Sequence, residues 1–320
     1  MAPDPKVHSV NPAGAGDIVL DHVGLFVSDM AAAETQFERL GFTLTPFTWQ
    51  MTPGGQDQPR PTGTANRCAM LGQGYLEILT AVADTPLADQ LRRAAGRYEG
   101  LHLIAFGVDD PVTIHAHLAE QGFAPQPVIA MTRPVTAGGR SGHAAFTLVR
   151  VAPEAMPEGR IQCLRHETPE MVWLPEVMTH ANAAGALTGV LLCVQDPAAA
   201  AERYARFTNR PATVEDGITR VRLDRGRLDF VSPEAIGRLL PDVECPSLPY
   251  MAAVSLRTER FERTLAHLRE AGVQFRTDGS RIHIPAREAA GTALVFHSEP
   301  ELARAATWAS GLTAHGRAGG

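Results

Sequence analysis

Leu20–Asp29 reads LDHVGLFVSD, an alternation of apolar and small or polar residues that runs into a Ser-Asp pair and then an amphipathic stretch. Such a run predicts a half-buried strand followed by a capped helix. The succession returns in LHLIAFGVDDPVTIHAHLAEQGF, in LTGVLLCVQDPAAAAERYARFTN and in YMAAVSLRTERFERTLAHLREAGV. Asp29, Asp109 or Asp110, Asp196 and Thr258 are placed to accept from the free N–H groups of each first turn, and Pro111 and Pro197 suit the first helical position. One face of each helix is apolar: Ala33, Phe37 and Leu40; Ile114 and Leu118; Ala201 and Tyr204; Phe261, Leu265 and Leu268. Gly41, Gly122 and Gly272 end three of the helices, and the third copy lacks such a glycine.

Further strand-like runs follow each helix: FTLTPFTWQM, TANRCAML and YLEILTAV in the first copy, then FAPQPVIAM, HAAFTLVRV and RIQCLRHETPEMVW in the second. The third and fourth copies offer only TRVRLD with RLDFVSP and RIHIP with TALVFHS. The unit is therefore βαβββ, used four times, and the expected fold class is α+β with the C-terminal pair shortened. Residues 17–178 form an N-terminal domain of two modules, 17–98 and 99–178, and 183–300 form a second domain, with tails at 1–16 and 301–320.

A chain of 320 residues, 44% of them hydrophobic, can bury a large core. Its formal net charge of -6, with Lys and Arg scattered, gives no stripe for nucleic acid or an anionic membrane. The expected partner is a small molecule, and a homodimer is left open. No apolar run has the length of a membrane span and the first residues lack a signal-peptide core, so the cytoplasm is the expected location. Cys68, Cys163, Cys193 and Cys245 form no CxxC and read as reduced core residues.

The segments LDHVGLFVSD, YLEIL and EGLHLIAFGVDD, together with the repeat, resemble the vicinal oxygen chelate superfamily of glyoxalases, bleomycin-resistance proteins and extradiol dioxygenases. TANRCAMLGQGYLEIL and LRHETPEMVW resemble its glyoxalase-like domains. The resemblance implies that modules pair into cupped, incomplete barrels. It also implies that a divalent metal is held by one residue from the first and one from the last strand of each module, chelating two adjacent substrate oxygens. Lyases, isomerases, epimerases and dioxygenases share this scaffold, so the resemblance does not name the reaction.

Carried over residue by residue, the resemblance makes His22, seven residues before Asp29, the first-strand ligand, and Glu77 the last-strand ligand. Alternation puts His22 on a face with Leu20, Gly24 and Phe26. In the second module the same spacing from Asp110 lands on Leu103, while His102 falls where Asp21 does and faces away unless a bulge turns it. Gln162 takes the last-strand position, and His166 shares its face. The implied metal set is His22 and Glu77 with His166 or Gln162, for Fe, Mn, Ni or Zn. His166 is the candidate base if it is not a ligand. In the C-terminal half the equivalent positions are Gly189, Asp229, Met251 and Leu294, which make no hard-metal site. Phe47, Trp49, Asn66, Arg67 and Tyr75 are candidate pocket residues, and Arg150 and Arg165 candidate anion anchors.

The expected function is a metal-dependent glyoxalase-like enzyme working by proton transfer, isomerisation or lyase chemistry. The alternatives are a ring-cleaving extradiol-type dioxygenase and a metal-free binding protein of the bleomycin-resistance type.

Overall fold

A computed structural model of the chain describes residues 12–52, 60–137 and 140–298. Apart from residues 12–16, the expected tails lie outside the described residues. The repeat appears as expected. The first module is β1 (Ile18–Phe26), α1 (Met30–Arg39), β2 (Thr48–Thr52), β3 (Arg60–Met70) and β4 (Tyr75–Ala81), joined by α2 (Pro86–Ala95) to the second. The second is β5 (Gly100–Val108), α3 (Pro111–Glu120), β6 (Ile129–Ala137), β7 (Arg140–Arg150) and β8 (Arg160–His166). The third comprises β9 (Ala184–Cys193), α4 (Pro197–Thr208), β10 (Ala212–Glu215), β11 (Ile218–Arg222) and β12 (Arg227–Val231), followed by α5 (Pro233–Leu239). The fourth is β13 (Tyr250–Thr258), α6 (Phe261–Glu270), β14 (Arg276–Thr277), β15 (Arg281–Ile284) and β16 (Ala293–His297).

In each module the first strand runs parallel to the last. Modules then pair through their first strands, β1 antiparallel to β5 and β9 antiparallel to β13. This gives the order β2-β3-β4-β1-β5-β8-β7-β6 in one half and β10-β11-β12-β9-β13-β16-β15-β14 in the other. The halves join where Met251 of β13 meets Leu101 of β5, and at the bridges Val19–Arg225 and Gln73–Ala186. Helices α1, α3, α4 and α6 close over one continuous apolar core that includes Leu20, Phe37, Phe106, Tyr204, Phe207 and Phe296.

Local chemistry sets the helix ends, with two departures from expectation. Asp29, Asp110 and Asp196 cap their helices through side-chain oxygens. Thr258 does not: α6 starts two residues later with Arg260 at the N-cap, and the Thr258 hydroxyl instead bonds Thr264 and the Ala183 carbonyl. The helix that lacked a terminal glycine ends on Asn209, whose φ of 52° supplies the left-handed turn.

Two β-bulges interrupt the pairing of β1 with β5. Leu20 pairs with Phe106 but His22 with Ala105, so Asp21 is an inserted residue; Gly24 pairs with Leu103 but Leu25 with Leu101, so His102 is another. The first bulge resets the alternation, and Leu20, expected on the face of His22, joins the helix-side core instead. All four cysteines are free, with Cys68, Cys163 and Cys193 buried. No helix among the described residues is long and apolar enough to cross a membrane.

Candidate functional site

Strands β1 to β8 curve around a cavity of about 660 Å³ whose lining includes His22, Glu77, Asn66, Tyr75, Leu103 and Gln162. His22 is buried and stacks on Tyr75, its neighbour across β1 and β4, with ring centroids 4.3 Å apart. Glu77 lies two residues further along β4 and presents Oε2 at 3.8 Å from His22 Nε2. Its other oxygen is fixed: Asn66 Nδ2 donates to Oε1 at 2.5 Å and Gln50 Nε2 at 3.0 Å. Gln50 is in turn held by the Thr64 hydroxyl, which donates to its Oε1 at 2.7 Å. The carboxylate is thus clamped through one oxygen and free at the other.

Behind His22 stands Asp21, 3% exposed, brought to the same side by the bulge. Its carboxylate accepts from His22 Nδ1 at 2.7 Å and from His166 Nε2 at 3.1 Å. Burial alone would raise its pKa, but the charges and hydrogen bonds of His166 and His22 hold it far below the usual carboxylate range. Asp21 can only accept, so Nδ1 of His22 carries a proton, and whenever the ring is neutral its lone pair is on Nε2, toward the cavity. Gly107 on β5, paired with Val19, leaves room for both neighbours, since a Cβ there would lie 2.8 Å from Val19 Cγ2 and 3.3 Å from Asp21 Oδ2.

The structure sorts the expected site residues into three groups. His22, Glu77, Asn66, Tyr75, Gln162 and Arg150 line the cavity, as does Leu103 at the predicted register. His166 does not: it sits behind Tyr75 and Phe146, against Trp173 at 4.6 Å, bonded to Asp21. Trp49, Arg67 and Arg165 point elsewhere. Trp49 pairs with Ala65 on the outer face and is 47% exposed, and Arg67 on that same face bridges to Glu34 at 2.9 Å. Arg165 is engaged outside the cup by Glu167 and the Asp109 carbonyl. Phe47 is exposed and lies under the Arg67 guanidinium. The sequence reading missed Asp21, Gln50 and Arg160. The first two sit at bulges, which alternation cannot foresee.

A divalent ion in the cup would find His22 Nε2 and Glu77 Oε2 on one side. The opposite wall offers Leu103, which has no donor, and Gln162, whose Oε1 already accepts from Arg150 Nε at 3.3 Å. Arg150 and Arg160 add two positive charges there. Among the described residues, no group of three or more His, Cys, Asp or Glu converges as a metal site. Of the expected set, His22, Glu77 and Gln162 line the cup and His166 stands outside it; with Gln162 Oε1 taken by Arg150, one imidazole and one carboxylate are left as donors, too few to hold a divalent ion tightly.

His102 also sits at a bulge, yet it turns away from the cup. Its ring stacks on Tyr98 at 4.0 Å and its Nε2–H donates to the Tyr98 carbonyl at 2.8 Å, beside a second cavity of about 600 Å³. Burial pushes its pKa down to about 4. The unfolded value is near 6.5, so the folded state holds the ring neutral, and stability falls as pH drops from about 6.5 to about 4. The loss expected across that window is about 3 kcal/mol. Urea midpoints at pH 7.5 and pH 4.5 should show a smaller acid loss in His102→Phe than in the parent; equal losses would assign the acid sensitivity to other groups.

The C-terminal half repeats the geometry without the chemistry. Gly189 stands where His22 does, and Asp229, paired with Leu191 as Glu77 is with Gly24, is fully buried. The space a side chain at Gly189 would fill is taken by Arg227, whose Cγ would lie 3.3 Å from a Cβ there. Asp229 accepts from Arg220 Nε and Arg227 Nε, and Glu215 completes the cluster through Arg220 and Arg222. In the fourth module the later helix start moves the equivalent positions to Ala253 and Val295, in place of Met251 and Leu294. Neither carries a donor.

Comparison with known proteins agrees with this architecture. A hypothetical protein from Staphylococcus aureus has a similar structure, with a TM-score of 0.63 at 12% identity, over 88% of this chain and 99% of that one. A triple mutant of 4-hydroxymandelate synthase from Streptomyces coelicolor gives 0.50 at 18% identity, over 84% and 78%. A fusion of a xylose isomerase-like TIM barrel with 4-hydroxyphenylpyruvate dioxygenase gives 0.54 at 12%, over 92% of this chain and 51% of that one. These likenesses show a shared fold. No curated protein matches the chain. The sequence profile described as Glyoxalase-like domain matches residues 20–208, more than half its length. The βαβββ repeat, the cupped strands and this match agree, and the chain belongs to the glyoxalase-like domain family.

Proposed function

We propose that the N-terminal cup binds a small organic molecule with two adjacent oxygens and that His22 and Glu77 move a proton on it, in isomerase- or lyase-type chemistry. The observation that carries this is the 3.8 Å separation of His22 Nε2 and Glu77 Oε2 across the cavity wall, each group fixed from behind by Asp21 or by Asn66 and Gln50. That distance is too long for a direct hydrogen bond. A substrate C–H or O–H presented to the pair can lose its proton to one group and regain a proton from the other. Leu79, Leu103, Leu148 and Leu164 give the chamber apolar walls that keep water from competing. A ring-cleaving dioxygenase needs two histidines and a carboxylate on one ion, and His22 is the one histidine among the described residues lining the cup.

The test is proton exchange. Chelator-stripped protein in D2O, incubated with a panel of small α-hydroxy and α-oxo carbonyl compounds, is expected to exchange a substrate C–H for C–D at least about 100-fold faster than buffer, and Glu77→Gln to lose that gain. Exchange that vanishes on chelation and returns with a first-row metal, or its absence across the panel, would overturn the reading.

A further inference from the structure

The buried guanidiniums of Arg220 and Arg227 pair with Asp229, and that of Arg281 pairs with Asp278. Arg60, Arg133, Arg150 and Arg160 line the cup, and among the described residues none of the four is in an ion pair; Arg150 and Arg160 stand together on one wall. Arg150, at the end of β7, is directly opposite Gln162, and Arg160, at the start of β8, is directly opposite Leu103. Both line the cup and both line the second cavity, so they stand in the wall between the two. Arg150 donates only to Gln162 Oε1 and to the Met131 sulfur, neither of them charged. The Arg160 guanidinium lies over the Phe26 ring at 5.3 Å. Among the described residues it has no hydrogen-bond acceptor and no carboxylate partner.

We propose that the cup's ligand carries a carboxylate, bound between Arg150 and Arg160 with its apolar body against Leu103, Phe146 and Leu148. This rests on the reading of the cup as the substrate site and names the class of molecule it takes. Two half-buried guanidiniums on one wall repel each other, and an anion between them relieves both. Burial, and then the charge of Arg150, push the Arg160 pKa down to about 10. A planar fork of N–H donors matches a carboxylate, and Glu77 on the opposite wall repels the same group. The ligand is thereby oriented: its carboxylate is on the arginine wall and the carbon to be deprotonated near His22 and Glu77.

The experiment is calorimetric titration of the full chain with benzoate and 3-phenylpropanoate, with their neutral amides, and with inorganic phosphate. At least one carboxylate is expected to bind the parent and to weaken at least about tenfold in Arg160→Gln and in Arg150→Gln, while the amides respond to neither change. Glu77→Gln should keep or tighten carboxylate binding, so a failure of proton transfer leaves this result standing. Ligand-free Arg160→Gln is expected to melt no lower than the parent, because it relieves the repulsion between two neighbouring guanidiniums. Binding by neither carboxylate, equal binding in parent and Arg160→Gln, or tighter binding of phosphate than of both carboxylates would overturn the proposal.

Discussion

Asp229→Asn is expected to destabilise the protein by about 3–5 kcal/mol, the largest single effect on stability in the molecule. The side chain keeps its shape, so the loss is electrostatic. Asp229 is 0% exposed and accepts from Arg220, itself fully buried, and from Arg227, 5% exposed. With a neutral amide in its place Arg220 retains Glu215, but Arg227 loses the carboxylate to which its Nε donates at 2.9 Å. Removing one member of a buried ion cluster leaves charge in a medium that cannot screen it. The same change at the equivalent N-terminal position, Glu77→Gln, should cost far less, because Glu77 faces a cavity and its bonds come from the neutral amides of Asn66 and Gln50. Urea unfolding of the two variants at pH 7.5 separates these cases. Equal, small losses would mean that the arginines of the C-terminal half reach water when Asp229 is neutral.

That contrast also describes what became of the second cup. Where the N-terminal half sets an imidazole against a carboxylate across an open space, the C-terminal half has Gly189, and Arg227 fills the gap. A guanidinium supplied by the chain stands in the cup, and the carboxylate that faces it serves packing.

Much of this was legible in the sequence, and the limits have physical causes. Alternation and helix periodicity are local signals, so the four modules, the shortened second pair and the register that puts Leu103 in the cup could be read directly. His22 and Glu77 followed from the resemblance, and both line one cavity. What alternation cannot carry is an inserted residue. The bulge at Asp21 turns a side chain toward His22 that a regular strand would have faced away, and the shift between Trp49 and Met51 does the same for Gln50. Of the two candidate anion anchors, Arg150 lines the cup, while the Arg165 guanidinium is occupied by Glu167. The fourth module slipped by two residues because Thr258 looks like a cap and spends its hydroxyl on Thr264.

The largest effect on activity should come from the group the sequence left unassigned. Asp21→Asn is expected to lower proton-transfer turnover by about 10²–10⁴-fold, comparable to removing His22 as a base. The carboxylate makes His22 Nδ1 the donor and leaves Nε2 free to take a proton from the cavity side. An Asn amide can donate to Nδ1 instead, which moves the ring proton to Nε2 and turns a donor toward the substrate. Asp21→Ala, which imposes no tautomer, should therefore retain at least as much activity as Asp21→Asn despite losing more contacts. His166→Phe removes one of the two histidines on that carboxylate but leaves the bond to His22, and should cost about tenfold at most. ¹⁵N shifts of the His22 ring separate a positioning role from simple loss of structure: Nδ1–H in the parent and in His166→Phe, Nε2–H in Asp21→Asn. An Asp21→Asn variant with parental turnover and an Nε2–H ring would show that His22 does not accept the proton and would leave Glu77 as the base.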